Sequence, residues 1–279
     1  MPAADRTARN PGWSWDPSLY TGSAAFYATG RMAYPPELAD AVVAELGLDG
    51  TGVLVDVGCG PGSLTLLLAP HVARAIGIDA DPDMVAEAAK RAAAQSNVEW
   101  RCMRAEDLPA DLGTVDVVTF AQSFHWMDRP RVAAHARRLL GRGGTLVHVS
   151  AMTHRGAGTD GPPWDAIDDL VERYLGPVRR AGAGTLPDGT PNDENVIYRA
   201  AGFDGPHDVE LPGRVVRRSA AEVVASVYSL SSSAPHLFGD RLPAFDRDLR
   251  ALLGTAEFIE RTHPITLHFW RCGREAPAD

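Results

Sequence analysis

Cysteine is scarce in this chain of 279 residues, and the three present, Cys59, Cys102 and Cys272, are far apart and odd in number. That pattern suits neither a disulfide framework nor a metal cluster, so a reducing compartment and no bound metal are expected. Long apolar runs are lacking too; none approaches the roughly 20 residues that a membrane-spanning helix needs. The opening M-P-A-A-D-R-T-A-R-N has no apolar signal core, which makes a cytoplasmic location away from membranes the expectation. Basic charge is outweighed, with 27 Lys and Arg against 36 Asp and Glu, a formal charge of −9. Phosphate-driven binding rests on a basic footprint, so DNA is not an expected partner, although a local basic patch is compatible with the total. Internal repeats and long low-complexity tracts are absent as well. What is left is a globular composition, 45% hydrophobic and 23% charged.

Residues 1–34 read as an N-terminal tail or as an aromatic flap carrying Trp13, Trp15 and Tyr20. From Pro35 the pattern becomes regular. Leu38, Val42 and Leu46 recur at helical spacing after Pro35-Pro36, and Gly47 offers a stop. The apolar run Val53–Val57 reads as a buried strand, followed by a glycine loop and a helix over Ser63–Ala69. Strands are then expected at Ala75–Asp79, Val98–Cys102, Val115–Phe120 and Thr145–Ser150, with helices at Pro82–Ala94 and Pro130–Leu140. Such alternation implies βαβ units, a parallel sheet and helices on both faces. The rhythm breaks after Ala151. Residues 152–195 hold Gly- and Pro-rich loops around an amphipathic helix with Trp164, Ile167, Val171 and Tyr174. In 196–279 a helical stretch, 219–252, opens on a capping box of Ser219 and Glu222, and Ile265–Cys272 alternates as a final strand. We expect 35–151 to be the ligand-binding core, 152–195 and 219–252 a lid, and the rest of 196–279 the end of the core sheet.

The loop D-V-G-C-G-P-G-S (Asp56–Ser63) sits between a strand and a helix, the context in which such a motif has meaning. Gly58, Gly60 and Gly62 allow sharp turns and close approach of a ligand, and the helix start presents free N–H groups to a pyrophosphate or a carboxylate. A dinucleotide fingerprint would need Gly or Ala where Ser63 stands. An acidic residue ending the second strand can accept from both ribose hydroxyls, a position that Asp79 fills, while Asp81 suits a helix N-cap.

With this G-x-G-x-G loop, G-I-D-A-D at Gly77–Asp81, R-A-E-D-L-P at Arg104–Pro109 and F-A-Q-S-F-H-W-M-D at Phe120–Asp128, the chain resembles the class I S-adenosylmethionine-dependent methyltransferases, and within them the type 11 small-molecule group. The resemblance covers Tyr34 to Ser150, with support from the terminal strand. It implies a Rossmann-like α/β fold: seven mostly parallel strands, helices on both faces, an antiparallel final strand and a helical lid insertion. It implies S-adenosyl-L-methionine as cofactor, with contacts at Asp56, Gly58, Cys59, Gly60, Gly62, Asp79, Ala80, Met84, Ala105, Glu106, Ala121 and Gln122. Asp56 would lie near the methionine amino group. Many members carry an acid where Arg104 stands, which leaves Ala105 and Glu106 as the adenine contacts.

The segment Phe120–Asp128 lacks the N-P-P-Y pattern of enzymes that methylate exocyclic base amines, and resembles small-molecule members with an H-W pair. His125 is the expected base or acceptor-orienting group, whose replacement by alanine should cut turnover. Substrate or lid contacts are expected from Tyr27, Arg31, Tyr34, Trp126 and Trp164. The resulting expectation is methyl transfer to O, N or C of a small organic acceptor, in secondary metabolism if the Ala-, Arg- and Gly-rich composition marks a GC-rich source. RNA or protein methylation, or a non-methylating scaffold such as a sensor or cyclase, are the alternatives. The oligomeric state is left open.

Overall fold

The computed structural model describes residues 16–93, 95–108, 111–158, 161–181, 184–185 and 193–273. Trp13 and Trp15 lie outside them. A short helix α1 (Ala24–Gly30) precedes α2 (Pro36–Leu46), which has Pro36 at its first position and stops at Gly47 in the left-handed conformation. The core then alternates through β1 (Val53–Val57), α3 (Ser63–Leu68), β2 (Arg74–Asp79), α4 (Pro82–Arg91), β3 (Val98–Cys102), β4 (Val115–Ala121), α5 (Arg129–Leu139) and β5 (Leu140–Ser150). Next come α6 (Trp164–Leu175), the short antiparallel strands β6 (Arg180–Ala181) and β7 (Gly184–Thr185), α7 (Glu194–Ala200), β8 (Phe203–Leu211) and β9 (Val215–Ser219). The chain closes through α8 (Ala220–Tyr228), α9 (Pro235–Phe238), α10 (Leu242–Leu253), β10 (Glu257–Arg261) and β11 (Ile265–Cys272).

The main sheet has the order β3-β2-β1-β4-β5-β11-β8. Its first five strands are mutually parallel, and β11 runs antiparallel to both β5 and β8. This is the expected Rossmann-like sheet. Alternation along each strand splits the core in two. Val55, Val57, Val118 and Phe120 face α5 and α7, whereas Leu54 and Val117 face α2 and α3. The strand order reverses between β1 and β4, and ligands of open α/β sheets bind at the carboxyl ends beside such a point.

Three elements differ from the sequence-based expectation. Within the stretch read as a tail or flap, Tyr27 lies on a helix, α1, ahead of the one read as the first. Strand β8 lies at the sheet edge with mostly exposed residues, F-D-G-P-H-D-V-E-L, and so lacks the apolar alternation of a buried strand. Strands β9 and β10 form a separate antiparallel ribbon, with α8 capped as expected by the reciprocal Ser219–Glu222 box.

A third apolar cluster joins α6, α8, α9 and α10 through Ile167, Val171, Val223, Tyr228, Phe238, Phe245 and Leu249. Phe26 of α1 packs on Tyr228 at 5.0 Å between ring centroids. Within the ribbon a buried ion pair, Arg218–Glu260, joins β9 to β10 at 3.1 Å, and the further bonds of its two members reach the helices. Arg218 also donates to the carbonyls of Gly30, His154 and Glu222, and Glu260 accepts from Gly156 N and Trp164 Nε1. Fully bonded, the pair tolerates burial; removing one partner would strand a charge. Among the described residues no helix is long and apolar enough to cross a membrane.

Candidate active site

A cavity of about 360 Å³ opens at the carboxyl ends of β1, β2 and β4. Its floor is the glycine loop. Gly60 has φ +54°, and a Cβ there would meet nothing within 4 Å, so its missing side chain faces open space. Gly60 N donates to Asp79 Oδ2 at 2.8 Å, which ties the loop to the end of β2. Gly62 behaves differently. It does not line the cavity, and a Cβ on it would collide with the indole of Trp100. Its small size serves packing of β3 against the start of α3, not ligand approach.

Asp79 also accepts from Asp81 N at 2.9 Å, while Asp81 itself caps α4 by accepting from Asp83 N and Met84 N. Burial, outweighing these two N–H donors, pushes the Asp79 carboxyl up to about 6. The Asp56 carboxylate is committed within the fold, receiving Thr65 Oγ1 at 2.6 Å and Thr119 Oγ1 at 2.7 Å; burial raises its pKa despite both. Glu106 accepts from Asp128 N at 2.9 Å and from Arg104 Nε at 3.3 Å. Thus each of these three carboxylates already takes a protein donor on both oxygens. The Cys59 thiol is buried, and desolvation raises its pKa, with the nearby Asp79 and Asp56 adding to the shift.

The far end is walled by residues from three separate segments. Gln122, at the end of β4, is the one non-glycine residue with positive φ (+56°) among those described. Such a conformation is costly and is kept where surrounding contacts fix it. Its Nε2 donates to Tyr34 Oη at 3.1 Å and to Thr153 Oγ1 at 3.3 Å. These bonds join the core, the N-terminal segment and the stretch after β5 at one point, reinforced by Met32 N donating to Thr153 O at 2.7 Å. Tyr20 meets Trp126 edge-on at 5.8 Å and Tyr27 at 6.5 Å. Arg31 lies over the Tyr27 ring at 4.5 Å.

Most of the sequence-derived residues therefore converge. Asp56, Gly58, Cys59, Gly60, Asp79, Ala80, Met84, Ala105, Glu106, Ala121 and Gln122 line one cavity, together with Tyr27, Arg31, Tyr34 and Trp126. Three do not line it: Gly62, Trp164 and His125. Trp164 instead bonds Glu260 of β10, with the Arg155 and Arg218 guanidinium groups near its ring. His125 sits on the turn Phe124–Trp126, where burial, with Arg129 and Arg31 nearby, lowers its pKa to about 4. Sequence reasoning missed Thr153, Met32 and Arg104 as cavity residues. Thr153 and Met32 are recruited by tertiary pairing alone; Arg104 was set aside for its charge.

A family model described as a methyltransferase domain matches residues 54–144, which span the glycine loop, Asp79 and the Gln122 turn. An uncharacterized methyltransferase of Mycobacterium tuberculosis is 29% identical over 257 residues, covering 91% of this chain and 93% of the relative. Residues 54–144 are thus a methyltransferase domain, of the kind that uses S-adenosylmethionine. This methyltransferase also matches two solved structures at the level of the fold. The YcgJ protein of Bacillus subtilis superposes with a TM-score of 0.51 at 15% identity, over 86% of this chain and 99% of that one. The cyclase SpnF does so with a TM-score of 0.51 at 20% identity, over 92% and 93%. The residues present fit the cofactor of the methyltransferase: an open cradle at Gly60, a desolvated acid at the end of β2, and an enclosed apolar and aromatic far end.

Proposed function

We propose that the methyltransferase acts on a small organic acceptor inside this cavity. The observation that carries the reading is the closure of the far end. Tyr20, Tyr27, Tyr34 and Trp126 wall it, and the Gln122–Tyr34–Thr153 bonds draw the N-terminal segment and lid together over β4. The cavity, about 360 Å³, has to hold the cofactor together with the acceptor, so an acceptor seated beside the cofactor must be small. A charge of −9 gives no general attraction for RNA. The Ala-, Arg- and Gly-rich composition supports secondary metabolism as the source of the acceptor.

In this reading Asp79 accepts from the ribose hydroxyls, and Met84, Ala105 and Glu106 border the adenine. Asp56, through its threonine-fixed carboxylate, and Gln122 border the methionine part. Bound S-adenosylmethionine supplies an electrophilic methyl group on a sulfonium. The protein's part is to hold an acceptor in line with it, a positioning effect worth roughly 7–11 kcal/mol in favourable cases. Gln122 suits that task because two bonds and a constrained backbone fix its amide. Its Nε2 is spent on Tyr34 and Thr153, which leaves Oε1 as the acceptor.

The test is transfer of a tritiated methyl group from S-adenosylmethionine into an extract of the source organism. Label in the small-molecule fraction is expected. Label confined to RNA or protein would overturn the small-acceptor reading, and no transfer at all would favour a non-methylating use of the fold.

A further inference from the structure

Beyond the cavity, strands β5, β11 and β8 lie side by side and carry a polar group of their own. The register sets His268 of β11 across from His148 of β5 on one side and Asp208 of β8 on the other. In the next row Thr266 stands between Ser150 and Glu210. Alternate residues of a strand share a face, and on this one Leu146 and Trp270 enter the core that packs α5 and α7. Towards the carboxyl end of β5 the apolar residues give way. Ser150, Asp208 and Glu210 are exposed there, and the His268 side chain keeps 23% of its surface.

Hydrogen bonds put three of these side chains in line. His268 Nδ1 lies 2.7 Å from Asp208 Oδ1. A carboxylate only accepts, so Nδ1 carries the proton and Nε2 of the neutral ring keeps its lone pair. That lone pair meets Ser150 Oγ at 3.1 Å, and the hydroxyl donates to it. A nucleophile, a base and the group that orients the base are thereby joined.

His148 adds a donor beside them. Its Nδ1 lies 2.8 Å from Tyr198 Oη. Tyr198 is fully buried, which holds its hydroxyl protonated, and among the described residues Oη has no other partner. Oη therefore donates and Nδ1 accepts. Burial lowers the His148 pKa to about 3, so the ring is neutral and its one proton sits on Nε2. Among the described residues nothing accepts from that N–H. The His148 and His268 ring centres are 6.0 Å apart.

We propose that Ser150, His268, Asp208 and His148 form a second reactive centre, a serine nucleophile that hydrolyses unhindered carboxylic esters. None of the four lines the cofactor cavity, and the centre stands whether or not the small-acceptor reading holds. Ser150 Oγ bonds to the acyl carbon while its proton passes to His268 Nε2. The carbonyl electron pair moves onto oxygen, where His148 Nε2–H can meet the charge. Collapse expels the alcohol, which takes the proton from His268. Water then repeats the two steps on the acyl-serine, so the products are a carboxylic acid and an alcohol. Asp208 and Tyr198 are positioning residues, each fixing a ring tautomer. The open face suits an ester group with little bulk around it, and the Asp208 and Glu210 carboxylates disfavour anionic esters.

The full chain is treated with a fluorophosphonate, which labels activated serines, and its peptides are sequenced by mass spectrometry. Label on Ser150 is expected, and none there in His268→Gln. Hydrolysis of nitrophenyl acetate should fall roughly 100-fold or more in Ser150→Ala and His268→Gln, with circular dichroism confirming that both are folded. His148→Phe should lower kcat and leave KM, as loss of a donor used in the transition state does. Asp208→Asn should lose the rate and Asp208→Glu regain part of it, a split that loss of a merely structural bond would not give. No adduct, an adduct on another residue alone, or hydrolysis that survives Ser150→Ala would overturn the proposal.

Discussion

Cofactor binding should be linked to the titration of Asp79. In the free protein burial holds this carboxyl at about 6, against an ordinary value of 3.8. Two ribose hydroxyls donating to it would favour the ionised form and pull the value down. The binding-competent fraction is then the ionised fraction, about one part in eleven at pH 5 and nearly all of it at pH 7.5. Affinity for S-adenosylhomocysteine should therefore fall about tenfold between pH 7.5 and pH 5. At pH 6 binding should release about half a proton. The same shift acts on stability with a definite sign. Between 3.8 and about 6 the folded state binds a proton that the unfolded state does not, so this group favours folding as pH falls and opposes it above 6. Calorimetric titrations from pH 5 to 8, in two buffers of different ionisation enthalpy, read both affinity and proton count. His125 and His154, near 4 and 3, titrate below this window and do not interfere. Constant affinity with no proton linkage would refute the placement of ribose at Asp79.

Three further outcomes are expected. Gly62→Ala should drive a methyl group into Trp100 at a backbone angle of +77°, costing about 1–3 kcal/mol in thermal unfolding while the surviving fold keeps its cofactor affinity. Arg218→Met should leave Glu260, 1% exposed, without its partner, and lower stability by roughly 3–5 kcal/mol in denaturant titrations. His125→Ala, contrary to the expectation from sequence, should leave kcat and its pH profile unchanged, because the ring does not line the cavity; a tenfold loss would restore it to the chemistry.

The parallel half of the fold was legible because buried strands such as Val53–Val57 read as apolar runs between turn residues. Edge strand β8 was not, since an exposed strand needs no apolar pattern and its pairing with β11 is set by distant residues. The cofactor end of the site was legible for a related reason. Its residues sit at or just beyond the carboxyl ends of the strands, so Asp56, Asp79 and Gln122 converge once the strand order is known. The sequence reading and the structure diverge where only packing decides. The absent side chain of Gly60 makes room for a ligand and that of Gly62 for Trp100, a distinction that local spacing does not carry. Along the turn Phe124–Trp126 successive side chains point in different directions. Phe124 enters the core, Trp126 lines the cavity, and His125 between them does not. Trp164 was read from its helix as a lid residue, but its bond to Glu260 depends on a ribbon almost a hundred residues later.

The account centres on the cavity above the glycine loop as the seat of the methyl donor. Titration with S-adenosylhomocysteine of the unaltered protein and of Gly60→Val tests this most directly, with circular dichroism confirming that the variant is folded. The unaltered protein should show saturable one-to-one binding, and the folded variant, its valine filling the space now open at Gly60, should lose it by on the order of 100-fold or more. Equal affinity in the two proteins would place the cofactor elsewhere and contradict the account.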